Sequence, residues 1–375
     1  MSEAFRSSGV AFVNSVAGDG KREPYRFKNL RAMFGSLGIA AHSYNTYLEL
    51  LRNEQDILDI PELLDAAHNK LLYIVGGDAT HMTVPLWMYE LFQKHGIQSL
   101  PRSVLIGGYG GQNQAAITLG TQPGLFRNKS AFVKELIGLV RDEQGDFRLV
   151  KPWIVNSSEL TNGQGLVHRG KLVNGTPFLW TFGSGPYQRR ALEEAETDRS
   201  RPHWLRATLA IPAAMKHMHD NHGKEFVMVR VGKGELTKAM DAFLVTNFNR
   251  WGAFRVGDDP EKSYIVLLGV NPEDMSAFEL VTEVQLYLAK KTLKEFFRGL
   301  PEPTSPAVRI VELSDDEGVE FDLPNNGATY SVDSILRPAQ AKNPMHSLSG
   351  TVKVTAVRDS NGVSMPIWNA PQKKC

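Results

Sequence analysis

The sequence predicts a two-domain protein, in which an α/β domain with a mostly parallel sheet precedes an antiparallel β-sandwich. Three stretches, 11–21, 71–80 and 104–116, each have the pattern of a strand followed by a glycine-rich turn. Beyond residue 125 this pattern gives way to short β-prone runs separated by Asn-Gly pairs, which are a strong hairpin signal. The length of 375 residues also favours two domains over one. The expected domains are therefore 1–125 and 126–375.

In the first domain, strands alternate with helices, as in crossover units of a parallel sheet. The strands are expected at 9–14, 39–44, 71–75 and 104–106. Residues 30–37 carry one apolar face at helical spacing and Gly38 follows as a helix stop, so the first crossover is a helix. Residues 47–64 are expected to be helical as well. Because parallel strands end at the same edge, the three glycine-rich turns lie together where open α/β folds bind ligands.

The second domain is expected to be an antiparallel sandwich with inserted helices. Two Asn-Gly pairs, beginning at Asn162 and Asn174, mark hairpins. Helices are expected at 202–218 and at 272–297, the latter with Asn271 as its N-cap. The strands are expected at 153–155, 165–168, 178–182, 226–231, 242–246, 264–268 and 352–357.

Composition and charge exclude several classes of protein. The net charge is +1, so no overall field attracts the chain to nucleic acid, and no nucleic-acid partner is expected. The single cysteine, Cys375, excludes a disulfide framework and fits a reducing compartment. No signal-peptide pattern and no apolar span of about 18 residues occurs. We therefore expect a cytoplasmic protein.

The turn after the strand expected at 71–75, Gly76-Gly77-Asp78, carries the strongest chemical signal. Glycines let the backbone approach a phosphate, and the N-terminus of the following helix supplies free N–H groups. Asp78 would repel a phosphate unless a metal or a proton transfer is involved, so the turn indicates catalysis or Mg²⁺ binding. The same N–H groups are expected to hold the pKa of Asp78 below its usual range. The alternative is a tight turn in which Asp78 only caps the helix.

All three turns resemble those of the diacylglycerol kinase catalytic-domain family, which includes bacterial lipid kinases and the sphingosine and ceramide kinases. The residues that match the family's motifs are Asn14, Gly18, Gly20 and Lys21 in the first turn, Gly76, Gly77, Asp78 and Thr80 in the second, and Gly110, Asn113, Ala116, Leu119 and Gly120 in the third. The departures are Ser15 for proline, Ala79 for glycine, Thr83 for glutamate, and Gly111, Gln112 and Gln114 in the third turn.

The resemblance implies a fold like that of NAD kinases and diacylglycerol kinases, with the segment after Val352 returning to the first domain. It also implies an ATP-dependent lipid kinase that uses Mg²⁺. Asp78 would be the general base or would orient the metal. The residues implied to bind nucleotide are Asn14, Gly18, Gly20, Lys21, Thr46, Gly76, Gly77, Thr80, Gly110 and Asn113. For Lys21, a solvated lysine is the alternative.

Two further carboxylates are implied by weaker similarity. Asp333 is what remains of the family's Asp-Gly-Glu motif, which supplies a second catalytic carboxylate. Asp259 lies where the family has a metal-linked segment. For both, the alternative is a solvated carboxylate in a loop. His217, His219 and His222 lie close in sequence, but their spacing favours a polar helix end over a metal site.

Three functions remain open. The first is a lipid kinase acting on a hydroxyl of a diacylglycerol- or sphingoid-like lipid, with peripheral contact to a membrane. The second is an NAD or other nucleotide kinase. NAD kinases usually carry an Asn-Glu pair well downstream of the central turn, and here the pair occurs only at Asn53, upstream of that turn, which counts against this function. The third is a non-catalytic module that binds nucleotide or lipid. The acceptor, lipid or another small hydroxyl compound, and a homodimer are left open.

Overall fold

The computed structural model divides the chain into two compact units, Met1–Lys151 with Asn361–Cys375 and Pro152–Ser360. It describes residues 9–14, 23–44, 71–94, 96, 100–108, 113–124, 128–163, 171–197, 203–252, 254–297, 299–324, 329–333, 335–338, 340–342, 350–360 and 362–371. The helix expected at 47–64 and the strand expected at 165–168 lie outside these residues.

The first unit is organised around a mostly parallel sheet in the strand order β2-β1-β3-β4-β19-β5. The strands are β1 Gly9–Asn14, β2 Ala40–Tyr44, β3 Leu71–Val75, β4 Arg102–Ile106, β5 Asp146–Val150 and β19 Met365–Asn369. Among the described strands of this sheet, only β5 runs antiparallel to its neighbour. Val75 lies opposite both Val13 and Ile106, so β1, β3 and β4 end level with one another.

Within the described residues, four helices accompany this sheet: α1 Glu23–Ser36, α2 Asp78–Lys94, α3 Gln114–Thr118 and α4 Lys129–Arg141. Asn128 caps α4 by accepting from the N–H groups of Ser130 and Ala131. The apolar face of α4, which includes Phe132 and Leu136, is buried in the same core as Trp368 of β19. Each such side chain stabilises the fold by about 1.5–3 kcal/mol. This shared core places the boundary of the unit at residue 151, whereas the sequence pattern places it at about 125.

The second unit contains one large antiparallel sheet. Its strands are β6 Trp153–Asn156, β7 Thr176–Phe178, β8 Thr181–Ser184, β9 Val227–Val231, β10 Thr237–Val245, β13 Ser263–Val270, β14 Val308–Leu313, β15 Val319–Pro324, β16 Thr329–Val332, β17 Ile335–Pro338 and β18 Thr351–Arg358. A separate hairpin joins β11 Arg250–Trp251 to β12 Phe254–Arg255. Strand β10 is central, because it pairs with β8, β9 and β13. The ring centroid of Phe182 on β8 lies 5.6 Å from that of Phe178 on β7 and 5.2 Å from that of Phe321 on β15. The sheet therefore curls around one aromatic core.

The described part of this unit includes three inserted helices: α5 Pro186–Thr197, α6 His203–Asp220 and α7 Ala277–Phe296. The single helix expected at 272–297 is divided, because Pro272–Asp274 forms a 3-10 turn. Ser276 rather than Asn271 is the N-cap of α7, and a capping box joins it to Glu279. Among the described helices, none has the length and apolarity needed to cross a bilayer.

The strand expected at 178–182 is interrupted. Thr176–Phe178 and Thr181–Ser184 are separate strands, and the chain turns between them at Leu179 and Trp180. The N–H groups of these two residues donate to the carboxylate of Asp333 instead of a neighbouring strand. A side chain distant in sequence therefore breaks what looks like one apolar strand.

Candidate functional site at the carboxyl edge of the parallel sheet

Two side-chain hydrogen bonds join the ends of β1, β3 and β4. Asn14, the last residue of β1, donates from Nδ2 to Oγ1 of Thr80 over 2.8 Å. Thr80 lies in the first turn of α2, which follows β3. The N–H of Ala115, in the segment after β4, donates to Oδ1 of Asp78 over 3.2 Å. The structure thus brings together Asn14, Asp78 and Thr80, as the parallel sheet predicts.

Asp78 is the first residue of α2, and its side chain is partly buried. Burial raises the pKa of its carboxyl to about 7, although backbone N–H groups of Ala115, Gln114 and Asn113 act in the opposite direction. The expectation of a lowered pKa is therefore wrong, because loss of hydration outweighs the hydrogen bonds that stabilise the carboxylate. A carboxyl that titrates near neutrality can take up and release a proton at physiological pH.

The glycines of this turn are required by packing. A Cβ on Gly76 would lie 2.5 Å from both Cβ and Oγ1 of Thr80. The carbonyl of Gly77 accepts from the N–H of His81 over 2.9 Å, and α2 begins with this hydrogen bond. Ala79 is helical and exposed, and its φ is not positive. The departure from glycine at this position therefore costs no backbone strain.

Sequence reasoning missed His81, which is fully buried beside the turn. Its Nε2 lies 3.2 Å from the carbonyl oxygen of Ile106, the last residue of β4. The N–H of Gly76 donates to the same oxygen over 3.2 Å. Burial lowers the pKa of His81 to about 4, so the ring is neutral and donates from Nε2. Its Nδ1 has no hydrogen-bond partner among the described residues. Nothing in the local pattern distinguishes this histidine from a surface residue.

The third turn is described from Asn113 onwards. Asn113 is buried and has a φ of 54°, a left-handed conformation that asparagine tolerates. The neighbouring Gln114 is buried too, and its Oε1 lacks a hydrogen-bond partner in the described part of the chain. A Cβ on Gly107 would lie 2.5 Å from Cβ of Ala116, so this turn also packs tightly. Lys129 Nζ donates to the carbonyl of Gly108.

The remaining nucleotide-site candidates, Gly18, Gly20, Lys21, Thr46 and Gly110, lie outside the described residues. Thr80 and Asn113 are nearly inaccessible to solvent, at 2% and 3% exposure. Their side chains therefore hold the turns in place rather than face an open surface. Asp78 and Asn14 are partly exposed.

Asp333 lies in the second unit and is not a solvated loop carboxylate. It is buried, and its oxygens accept from the N–H groups of Leu179, Trp180 and Thr181 at distances of 3.0, 2.6 and 3.0 Å. Its φ is 50°, in the left-handed region. Burial raises the pKa of this carboxyl to about 6 against the lowering effect of the three N–H groups. Its contacts are those of a group that fixes a turn.

Asp259, the metal candidate, also lies in the second unit and is exposed. Its Oδ1 accepts from the N–H of Glu261 over 2.8 Å. Within the described residues, no group of three or more His, Cys, Asp or Glu side chains has the arrangement to hold a metal.

A second buried carboxylate of this unit was missed by sequence reasoning. Asp241, in the middle of β10, accepts from the N–H groups of Tyr187 and Gln188 at 3.0 and 2.9 Å, and so caps α5. Burial is the main cause that raises its pKa to about 7.

No protein-family model matches the chain, and no curated protein does. Among solved structures, a proposed diacylglycerol kinase from Bacillus anthracis str. Sterne is similar over 96% of both chains, at 14% identity and a TM-score of 0.51. A second structure so described, from the same organism, has 14% identity, 96% coverage of both chains and a TM-score of 0.50. Yeast NADH kinase complexed with NADH is similar over 96% of this chain and 83% of its own, at 11% identity and a TM-score of 0.42.

The first two similarities show the fold. They confirm the predicted architecture, an α/β domain with a mostly parallel sheet followed by an antiparallel β domain. The resemblance found in the three turns is thus confirmed at the level of the fold.

Proposed function

We propose that the carboxyl edge of the parallel sheet binds ATP with Mg²⁺ and that the protein is an ATP-dependent kinase. The proposed acceptor is a hydroxyl of a diacylglycerol- or sphingoid-like lipid, reached by peripheral contact with a membrane from the cytoplasm. One observation carries this proposal: a carboxyl with a pKa of about 7, Asp78, stands at the start of a long helix where three strand ends are tied together. The similar structures support it, because those proteins are described as proposed diacylglycerol kinases.

The residues present fit a phosphate group. The first N–H groups of α2 have no acceptor within the helix, and the helix dipole favours a negative charge there. Gly77 presents backbone without a side chain next to these groups. Asn14 is partly exposed at the end of the adjacent strand. Phosphate oxygens would thus find donors from the backbone of 77–79.

A single carboxylate also fits Mg²⁺. This ion is usually held by one or two carboxylates, with waters and substrate phosphates completing its shell. Asp78 would supply that carboxylate if another group takes the proton, and a site of this kind needs no cluster of three protein ligands. When bound, ATP supplies the phosphoryl group and Mg²⁺ neutralises its charge.

Asp78 has the property that a general base requires. Its pKa of about 7 lets the ionised form accept the proton of an acceptor hydroxyl as that oxygen bonds to phosphorus. The proton moves to an oxygen of Asp78, and the bond between phosphorus and the leaving oxygen breaks. The same carboxyl also accepts a hydrogen bond from the N–H of Ala115, and this contact fixes the start of α3.

That hydrogen bond also favours a second candidate, a module that binds nucleotide or lipid without turnover. A carboxylate that caps α3 has a structural task whether or not it accepts a proton. The two candidates differ in what removal of the charge at residue 78 does to turnover.

The test is Asp78→Asn. Asparagine keeps the size and the acceptor oxygen, so the variant should fold and should still be stabilised against heat by ATP with Mg²⁺. Turnover, measured as phosphate transfer from radiolabelled ATP into a total lipid extract, should fall about 10²-fold or more. The control is Asp316→Asn in an exposed turn, which should leave both measurements unchanged.

Wild-type turnover in a folded Asp78→Asn protein would remove Asp78 from the chemistry. Binding of ATP without lipid phosphorylation by the wild type would favour the non-catalytic module. If saturating ATP and Mg²⁺ left the melting temperature unchanged, the proposed nucleotide site would be contradicted.

A further inference from the structure

Helix α7 exposes a second apolar face. Phe278, Phe296 and Phe297 are 74%, 74% and 60% exposed, and Leu286 and Leu293 are about half exposed at 48% each. At about 100° per residue, Phe278, Leu286, Leu293 and Phe296 fall within an arc of roughly 80°, and Phe297 follows the helix as its C-cap. The buried side of the helix is opposite, and consists of Leu280, Val284, Tyr287 and Lys291. Several large apolar side chains exposed on one helix face indicate an interaction surface.

The spacing within this face is that of a coiled-coil seam. Leu286, Ala289, Leu293 and Phe296 follow one another at intervals of three, four and three residues, and Thr282 precedes them by four. Alternating steps of three and four residues keep one line of side chains facing a partner helix. The pattern therefore favours another helix as the occupant of the face.

The middle four positions of the seam, from Thr282 to Leu293, have the same spacing in both directions. About a centre between Tyr287 and Leu288, the seam positions pair as Leu286 with Ala289 and Thr282 with Leu293. A two-fold axis through that centre would set two copies of α7 antiparallel, each position against its counterpart. Such an isologous contact needs a self-complementary surface, and this one also sets a large side chain against a small one at its middle.

Charges on one flank select the antiparallel arrangement. Glu279 and Glu283 lie on the N-terminal half of this flank, and Lys290 and Lys294 lie on its C-terminal half. Antiparallel pairing brings the acidic half of one copy to the basic half of the other, whereas parallel pairing brings this flank to an uncharged one. Within its own chain Glu283 accepts from Ser305, and Lys294 pairs with Glu302. Lys290 is exposed.

We propose that the exposed face of α7 is a homodimer interface, in which two copies of the helix pair antiparallel about a two-fold axis between Tyr287 and Leu288. The exposed phenylalanines and leucines supply on the order of 500 Å² of surface per copy. The pair would bury about 1,000 Å² in total, near the lower bound for a specific interface. The dimer is therefore expected to be concentration-dependent rather than permanent. The proposal is independent of the function proposed above.

Site-directed cross-linking tests the geometry, because Cys375 is the single cysteine and Cys375→Ser removes it. In that background, a mixture of Thr282→Cys and Leu293→Cys chains should form a covalent heterodimer with a short bis-maleimide. Ala289→Cys should cross-link to itself, since it lies next to the axis. Phe278→Cys should not, because its two copies would be about 28 Å apart along the helix pair. Efficient self-cross-linking of Phe278→Cys would mean parallel pairing and would overturn the proposal.

Sedimentation equilibrium tests the energetics. Leu286 and Leu293 are exposed, so the double substitution Leu286→Glu/Leu293→Glu should leave the fold intact and weaken dimerisation at least 100-fold. The control Lys353→Glu lies on an exposed position of β18 and should dimerise like the wild type. A wild type that stays monomeric at all concentrations overturns the proposal. Binding of that monomer to vesicles of anionic phospholipid, abolished by the double substitution, would assign the face to a membrane instead.

Discussion

Replacement of Asp333 by alanine should strongly destabilise the second unit. This carboxylate is buried and accepts from the backbone N–H groups of Leu179, Trp180 and Thr181. Alanine offers these donors no acceptor, and the chain around them is buried. The substitution also places a Cβ-bearing residue without a polar side chain at a φ of 50°.

The expected cost follows from these contacts. Each buried donor left without an acceptor costs about 1–3 kcal/mol, so three cost at least about 3 kcal/mol. The left-handed conformation adds about 1 kcal/mol for alanine. A loss of about 4 kcal/mol is a large part of the roughly 5–15 kcal/mol that stabilises a typical protein. Asp333→Asn should cost about 1–2 kcal/mol, because asparagine tolerates the backbone conformation and keeps one acceptor oxygen.

Urea denaturation at pH 8, where the carboxyl with its pKa of about 6 is ionised, measures these losses. Tryptophan fluorescence is a suitable probe because Trp180 is buried beside Asp333. Asp316→Ala, in an exposed turn, is the control and should change stability by less than about 0.5 kcal/mol. A loss below about 1 kcal/mol for Asp333→Ala would refute the reasoning. An Asp333→Asn protein that is stable but inactive would instead support the catalytic role implied by the resemblance.

Two further substitutions test the description of the site and of the second buried carboxylate. Ala79→Gly should lower stability by about 0.5–1 kcal/mol, since it loosens a helix, and should leave the binding of ATP unchanged; tighter binding would show that the departure from glycine matters. Asp241 has a folded-state pKa raised to about 7, so its contribution to stability is complete below the unfolded value of 3.8 and is lost as pH rises through about 7. Between pH 4 and 7 the wild type should therefore lose stability more steeply than Asp241→Asn, by an amount on the order of 4 kcal/mol at most, and parallel urea midpoints for the two proteins would contradict this.

The sequence predicts well what depends on short-range patterns. The apolar run 71–75 followed by Gly76 indicates both a buried strand and the turn after it. Because β1 and β3 are parallel, the sequence also predicts that Asn14 and Asp78 lie at the same edge of the sheet. The Ser-x-x-Glu pattern of Ser276 and Glu279 also indicates a capping box, and it identifies the N-cap of α7 better than Asn271 does.

Long-range contacts account for what the sequence does not predict. The partners of Asp333 are about 150 residues away in the chain, so no local pattern indicates that it is buried or that it divides β7 from β8. The same is true of the raised pKa of Asp78, which depends on how much of the unit covers it. His81 looks like a polar residue in a helix, and only the packing shows that it contacts the end of β4.

The position of β19 has a consequence for how the protein is made. This strand lies between β4 and β5, and Ile367 pairs with Ser103 although the whole second unit separates them in the chain. A ribosome therefore releases the second unit before the sheet of the first can close. Until then β4 presents an unpaired edge of buried apolar residues, and such edges associate with other chains. The nascent first unit has to be kept from aggregating while about 200 residues are synthesised, at roughly 5–20 residues per second.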